Sequence, residues 1–111
     1  LVGIVTDRDM FIALATRNAR ASQLTIADVA RRKVFTCGPD DQLHAALATM
    51  KQHRVRRLPV AGFGDTVMGI VSMHDLVLAS GARKPVRHED VVETLQGICA
   101  HHHPVPHVAV A

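Results

Sequence analysis

The chain contains few aromatic side chains and few cysteines. Its 111 residues include three Phe but no Trp or Tyr, whereas single-stranded nucleic-acid binders use aromatic rings to stack bases. Cys37 and Cys99 form no CxxC pair, which argues against a disulfide framework and for a reducing compartment. The sequence has no P-loop, no GxGxxG and no recognisable nucleophile motif. These absences disfavour a nucleic-acid partner, a secreted protein and an enzyme.

Long apolar runs are also absent. No stretch approaches the roughly 20 apolar residues that span a bilayer, and no segment has the pattern of a signal peptide. We therefore predict a cytoplasmic protein that has no membrane partner. Leu1 replaces the usual first Met and already lies within an apolar run, so we expect the sequence to begin inside a domain.

The residues that are abundant are aliphatic, and the charge is mildly positive. Hydrophobic residues make up 48% of the chain, and the net charge is +3. This composition can build the core of one compact domain. A small excess of positive charge suits an anionic small ligand as well as it suits nucleic acid. The placement of the charges therefore has to distinguish between these two partners.

A sequence pattern that is typical of a strand-to-helix corner occurs twice. GIVTDRD covers Gly3–Asp9 and GIVSMHD covers Gly69–Asp75, at a constant offset, since 69 − 3 = 66 and 75 − 9 = 66. Thr6 and Ser72 stand where the strand ends, so their hydroxyls can cap the helix or face an anion at its N-terminus. The Asp that follows can complete a capping box or accept the hydroxyls of a ribose. Both interpretations stay open on the residues alone.

Hydrophobic periodicity predicts short strands and amphipathic helices. We expect strands at residues 1–5, 33–36, 56–60 and 66–72, and helices at 8–17, 26–30, 42–53, 75–80 and 89–100. Asp40 or Asp41 is expected to cap the third helix, and Gly81 to end the fourth. The first helix places its apolar face on Met10, Phe11, Leu14 and Ala15. The order of elements predicts one and a half copies of a single repeated unit.

In their order and spacing, GIVTDRD, GIVSMHD and VFTCGPDDQLHAALATMKQHRVRRLPV resemble the CBS domain, a family named after cystathionine β-synthase. The likeness covers residues 1–80 and is strongest to small stand-alone bacterial proteins. It implies an α+β fold of β-α-β-β-α units packed as a pseudo-twofold pair, the Bateman module. The implied segments are the C-terminal half of a first repeat at 1–24, a second repeat at 25–81, and a linker, amphipathic helix and His-rich tail at 82–111.

The resemblance also implies a function. CBS pairs bind adenosine compounds such as AMP, ADP, ATP or S-adenosylmethionine in clefts between the repeats and act as regulatory modules. No catalysis and no required cofactor are implied, a homodimer is expected, and the downstream effector protein is not identified. A ligand-free structural or oligomerisation module remains the alternative, and a nucleic-acid binder is a weaker one.

Carried over by position, the resemblance assigns roles to single residues. Asp9 and Asp75 are the expected ribose ligands, with Thr6 and Ser72 as the hydroxyl positions. The expected phosphate-facing residues are Arg8, Arg56 and His74, and the expected adenine-lining residues are Val34, Phe35, Thr36 and Val55. Because the opening strand of the first repeat is missing, the cleft around Asp9 is expected to be the better site.

Three further features allow more than one interpretation. The His101–His103 run with His107 fits metal binding, but no Cys or carboxylate accompanies it at ligand spacing, so we favour a flexible tail and assign no metal. Cys37 fits a redox switch, although burial as a small hydrophobe is favoured. The basic cluster His53–Arg57 fits a phosphate site, a solvated face or a nucleic-acid patch, in that order. The residues expected to fill the core include Met10, Met50, Met68 and Met73.

Overall fold

The computed structural model describes residues 1–100, and it confirms the predicted α+β class. The helices α1 to α5 cover Asp7–Thr16, Ile26–Val29, Leu43–His53, Met73–Ala79 and His88–Cys99. The strands β1 and β2 cover Arg57–Ala61 and Val67–Ser72 and pair antiparallel. Short 3-10 turns occupy Ala21–Gln23 and Phe63–Asp65. The histidine tail considered for a metal lies outside the described residues.

The chain divides into two compact units, one of residues 1–34 and one from residue 35 onward. The first unit contains α1 and α2. The second contains α3, both strands, α4 and α5. Within residues 1–100, no helix combines the length and the apolar character that a membrane crossing requires.

Two capping boxes fix the helices of the first unit. The Thr6 side chain accepts the Asp9 N–H at the start of α1, and the Thr25 side chain accepts the Asp28 N–H at the start of α2. In each box the carboxylate of the Asp accepts the backbone N–H of the cap residue. The cap predicted at Thr25 is therefore confirmed.

A single backbone bridge replaces the strand predicted at residues 1–5. Ile4 and Arg31 exchange two N–H to carbonyl hydrogen bonds, of 2.9 and 2.8 Å, as an isolated antiparallel bridge. A strand needs a partner along its whole length, and Arg31 is the one residue of this unit that bridges to the segment. The strand prediction was wrong, but the bridge fixes the position of Arg31.

The apolar face predicted for α1 is exposed to solvent. Phe11 is 72% exposed, and Met10 and Leu14 are 42% and 45% exposed. Ala13 is the buried residue of the helix. The first unit thus presents an apolar surface and has little core of its own within the described residues.

The second unit has a continuous aliphatic core that joins all of its elements. Met50 and Leu58 are fully buried, and burying such a side chain stabilises a fold by roughly 1.5–3 kcal/mol. Cys37 packs partly buried against this core, as the favoured interpretation predicted, and burial is the main factor that raises the pKa of its thiol. The buried members are Ala46, Leu47, Met50, Leu58, Met73, Leu76, Val86, Val91 and Ile98.

The methionine prediction is half right. Met50 and Met73 lie in the core, where they are 0% and 5% exposed. Met10 and Met68 are 42% and 64% exposed. Both exposed residues belong to elements with uncovered apolar faces, α1 and β2, which explains why periodicity alone misplaced them.

The strand predicted at residues 33–36 does not form. Pairing begins one residue later, where Cys37 forms an isolated parallel bridge with Val60. The Cys37 N–H donates to the Pro59 carbonyl at 3.1 Å, and the Ala61 N–H donates to the Cys37 carbonyl at 2.9 Å. The turn that starts at Gly38 ends this contact after one residue, so no ladder develops.

Two helix ends differ from prediction. Gln42 begins α3 without a side-chain cap, because the Asp41 carboxylate accepts the Gly38 N–H at 2.7 Å and closes the turn instead. Ser80, in extended conformation, ends α4, and the Gly81 N–H donates to the carbonyl of Val86. Arg54 ends α3 with a left-handed φ of 54°. Because β1 begins at residue 57, only the last residue of the basic cluster lies on a strand.

Candidate functional site

The two repeated sequences form the same local structure. We call residues 3–9 the Asp9 corner and residues 69–75 the Asp75 corner. In each, the hydroxyl residue is the N-cap and accepts the N–H of the Asp three positions on, while the carboxylate of that Asp accepts the N–H of the cap. The structure thus brings Thr6 to Asp9 and Ser72 to Asp75, and it confirms the capping interpretation at both places.

Protein contacts occupy the carboxylate of Asp9. Its Oδ2 accepts the Thr6 N–H at 3.1 Å, and its Oδ1 accepts a hydrogen bond from Nε of Arg31 at 2.9 Å, while Nη2 of the same guanidinium forms an ion pair with Oδ1 at 2.9 Å. The Asp9 side chain is only 8% exposed. A carboxylate has about four lone-pair sites, so a ribose hydroxyl that is to bind Oδ1 has to compete with the guanidinium of Arg31.

The charge of Asp9 is stable near neutral pH. Partial burial acts to raise the pKa of Asp9, but hydrogen bonds from Thr6 and Arg31, together with the Arg31 charge, outweigh it and hold the pKa below its ordinary value. Arg31 was not among the predicted site residues. It lies 22 positions from Asp9, and no local motif points to it; only the Ile4–Arg31 bridge brings it close. The predicted cation, Arg8, is exposed on the first turn of α1.

The carboxylate of Asp75 is open by comparison. Asp75 is exposed, and its Oδ2 receives both the Ser72 N–H at 2.9 Å and the Ser72 hydroxyl at 3.0 Å. Its Oδ1 accepts no hydrogen bond from the residues that the structure describes. The two hydrogen bonds from Ser72 hold the pKa of Asp75 below its ordinary value. An ionised oxygen is thus available to a ligand hydroxyl.

The β-ladder places two arginines next to the Asp75 corner. Arg57 pairs with Ser72 across the strands, and the carbonyl of Arg56 accepts the N–H of Met73, the first residue of α4, at 2.9 Å. The Arg56 side chain is exposed, with Nη2 at 3.6 Å from Sγ of Cys99. Arg57 was predicted only as part of the basic cluster, and the strand register is the signal that places it opposite Ser72.

The remaining predicted residues lie in different surroundings. Phe35 stacks on His53, with ring centroids 3.6 Å apart and an interplanar angle of 10°, so a predicted adenine-lining residue contacts the first residue of the basic cluster. Val55 and Phe35 are both partly buried against the core. The predicted phosphate-facing His74 is exposed and lies next to Asp75 in the chain. Thr36 is exposed in the second unit, and Val34 ends the first unit.

A groove of about 310 Å³ lies on the α1–α2 side of Asp9. Arg17, on its rim, donates from Nη1 to the Asp28 carbonyl at 2.7 Å. The groove shares only Asp9 with the predicted site. Among residues 1–100 there is no cluster of three or more His, Cys, Asp or Glu that suits a metal ion. The groove is lined by Asp9, Ile12, Ala13, Thr16, Arg17, Val29 and Arg31.

Solved structures with this fold are CBS domain pairs. The CBS domain pair of protein MJ0100, solved in complex with 5′-methylthioadenosine and S-adenosyl-L-methionine, is 29% identical, with a TM-score of 0.62 over 70% of this chain and 59% of that one. The CBS domain protein PAE2072 from Pyrobaculum aerophilum, complexed with AMP, has a TM-score of 0.60 over 86% of this chain and 64% of that one. At 22% identity this second likeness shows the fold alone.

The CBS domain family model matches residues 26–82, and the chain belongs to this family. The resemblance predicted from the motifs is thereby confirmed. The CBS domain-containing protein YhcV of Bacillus subtilis is 33% identical over 78 residues, which are 70% of this chain and 54% of that protein. The chain spans about half or less of three curated relatives, namely 39%, 14% and 54% of their lengths.

Proposed function

We propose that the chain is a regulatory module that binds an adenosine compound and transmits its presence as a change of shape or association. Family membership supports this proposal, as does the 29% identical CBS pair solved with 5′-methylthioadenosine and S-adenosyl-L-methionine. The observation that carries it is the Asp75 corner, where an exposed carboxylate oxygen lies beside a cap hydroxyl and the backbone pairs with that of Arg56 and Arg57. The proposal includes no catalysis and no required cofactor.

Each group at the Asp75 corner has a role in this proposal. Oδ1 of Asp75 accepts a ribose hydroxyl, and the side chains of Arg56 and His74 face the phosphate. Charge-assisted hydrogen bonds of this kind contribute about 1.5–3 kcal/mol each, so AMP, ADP and ATP gain more here than a phosphate-free compound does. The adenine-lining roles of Val34, Phe35, Thr36 and Val55 belong to the same proposal.

The Asp9 corner is the second site in this proposal, which reverses the order expected from sequence. The sequence argument rested on which strands the chain contains, whereas the structure shows Arg31 engaging the acid. Thr6, Arg8 and Asp9 keep their proposed roles toward a ligand only once Arg31 is displaced.

A homodimer completes the proposal. Its support is the exposed apolar face of α1, where Phe11 is 72% exposed, because exposed apolar surface commonly marks an interaction site. Sedimentation equilibrium should give twice the monomer mass.

The proposal also includes a bacterial source, a cytoplasmic location, an unidentified effector, and the repeat boundaries at 1–24, 25–81 and 82–111. Cell fractionation tests the location.

One observation favours the alternative, a structural module that binds no ligand. Both acids serve as helix caps, and the carboxylate of Asp9 is engaged on both oxygens. A module of this kind shows no thermal shift with AMP, ADP, ATP or S-adenosylmethionine at millimolar concentration. A ligand at 100 times its dissociation constant instead stabilises the fold by about 2.7 kcal/mol.

Binding experiments with a matched pair of variants test the proposal. Isothermal titration of the purified chain with the four compounds should give measurable affinity for at least one of them. Asp75→Asn preserves the cap through its amide oxygen and should lose roughly tenfold in affinity, because it removes a charged acceptor. Asp40→Asn, a charge change on an exposed turn residue, should retain the parent affinity. Equal affinities of the two variants, or no binding by the parent, would contradict the proposal.

A further inference from the structure

In the Asp9 corner, Arg31 competes with a ligand for the carboxylate of Asp9. Nε of Arg31 donates to Oδ1 of Asp9 and Nη2 forms an ion pair with the same oxygen, and the Asp9 side chain is 8% exposed whereas that of Arg31 is 62% exposed. The enclosed partner is therefore the acid, and the partner that can move into solvent is the cation. The Asp75 corner has no such cation on its Oδ1 among the described residues.

The backbone of Arg31 limits how far its guanidinium can move. Two hydrogen bonds to Ile4 fix the residue at its main chain, so the guanidinium swings about a fixed point within one side-chain length of Asp9. A ligand that takes Oδ1 thus leaves a cation close by that needs a new anion. A phosphate on the same ligand supplies that anion and can accept two parallel N–H bonds from an Arg.

We propose that Arg31 makes the Asp9 corner selective for phosphate-bearing adenosine ligands over phosphate-free ones. This inference rests on the proposed function and deepens it by naming the ligand class of one corner. AMP exchanges the carboxylate partner of Arg31 for a phosphate partner. Adenosine or 5′-methylthioadenosine breaks the same ion pair but offers the guanidinium no phosphate in its place.

Titration of AMP and adenosine in the Asp75→Asn background tests this selectivity, because the Asp75 corner is then weakened and any further change caused by Arg31→Gln arises at the Asp9 corner. AMP should bind at least about tenfold more tightly than adenosine, since a charge-assisted pair is gained. Adding Arg31→Gln should weaken AMP binding by roughly tenfold. The same change should strengthen adenosine binding by about two- to fivefold. Adenosine then no longer has to break the ion pair between Arg31 and Asp9, and a pair whose cation is largely exposed is weak.

Arg32→Gln is the matched control, an adjacent and exposed arginine that is not paired with Asp9. It should leave the ratio of the two affinities unchanged. The ratio also separates selectivity from loss of structure, because partial unfolding weakens both ligands alike. An unchanged ratio in Arg31→Gln, an equal change in Arg32→Gln, or no binding of either ligand by Asp75→Asn overturns the inference. The proposed function fails separately, if the parent chain binds no adenosine compound.

Discussion

The Asp9 corner and the Asp75 corner share a sequence pattern and a capping box, yet their surroundings differ. Asp75 is exposed, and one of its oxygens is open, whereas Asp9 is enclosed and paired with Arg31. The capping box is a local structure that each short segment can form by itself. Availability to a ligand instead depends on residues distant in sequence. A repeated motif therefore does not guarantee a repeated site.

The two units also differ in how they are stabilised. The helix that follows the Asp75 corner carries Met73 and Leu76 into a continuous core. The helix that follows the Asp9 corner buries only Ala13. We therefore expect the second unit to dominate global stability and the first to open more readily, since local stability follows buried apolar contact.

Truncation of a side chain should give the largest difference between the two units in the free energy of unfolding. Leu58 is fully buried at the centre of the second unit, so Leu58→Ala should lower the free energy of unfolding by about 2–5 kcal/mol. Ile26→Ala, a comparable truncation at a residue 62% exposed in the first unit, should change it by no more than about 0.5 kcal/mol. Urea unfolding followed by circular dichroism measures both. Similar losses would show that the two units share one core.

Removal of the cap hydroxyls should also lower the free energy of global unfolding more in the second unit than in the first, but by a smaller amount. Ser72→Ala and Thr6→Ala each remove one cap, which costs about 1 kcal/mol. The loss at Ser72 should appear in global unfolding because α4 is part of the core. The loss at Thr6 should appear only as faster amide hydrogen exchange in α1. Global destabilisation by Thr6→Ala as large as that by Ser72→Ala would contradict this distinction.

Sequence reasoning succeeded where a structure is determined by neighbouring residues. The capping boxes at Thr6, Thr25 and Ser72 follow from residues three positions apart. The amphipathic α3 likewise follows from its periodicity, with Ala46, Leu47 and Met50 buried. The family resemblance followed from the order of several such local signals.

The failures arise where distant residues decide the outcome. The strand predicted at residues 1–5 became a single bridge, and the one predicted at 33–36 is replaced by a bridge at Cys37, because pairing depends on what lies opposite. The Arg31–Asp9 pair and the position of Arg57 opposite Ser72 depend on a bridge and on a strand register. No pattern within either corner encodes these long-range contacts. Our proposed ranking of the two sites differs from the one expected from sequence for this reason.

The pKa of Asp9 provides the finest test of the difference between the corners. The pKa values of Asp9 and Asp75 both lie below the ordinary 3.8. Each carboxylate thus contributes stability above that pH, which is lost as the pH falls through the lowered value. Arg31→Gln should raise the pKa of Asp9 toward 3.8 and leave that of Asp75 unchanged, because Arg31 hydrogen bonds and charge act on Asp9 alone.

Carbon-detected NMR titration of the carboxyl groups between about pH 2 and pH 6 resolves both values, since Asp titrates near 3.9 in model peptides. Arg32→Gln serves as the control and should shift neither group. An Asp9 pKa that does not respond to Arg31→Gln would mean that the ion pair is absent in solution. The acid of the Asp9 corner would then be as available as that of the Asp75 corner, and the ranking of the two sites would have no physical basis.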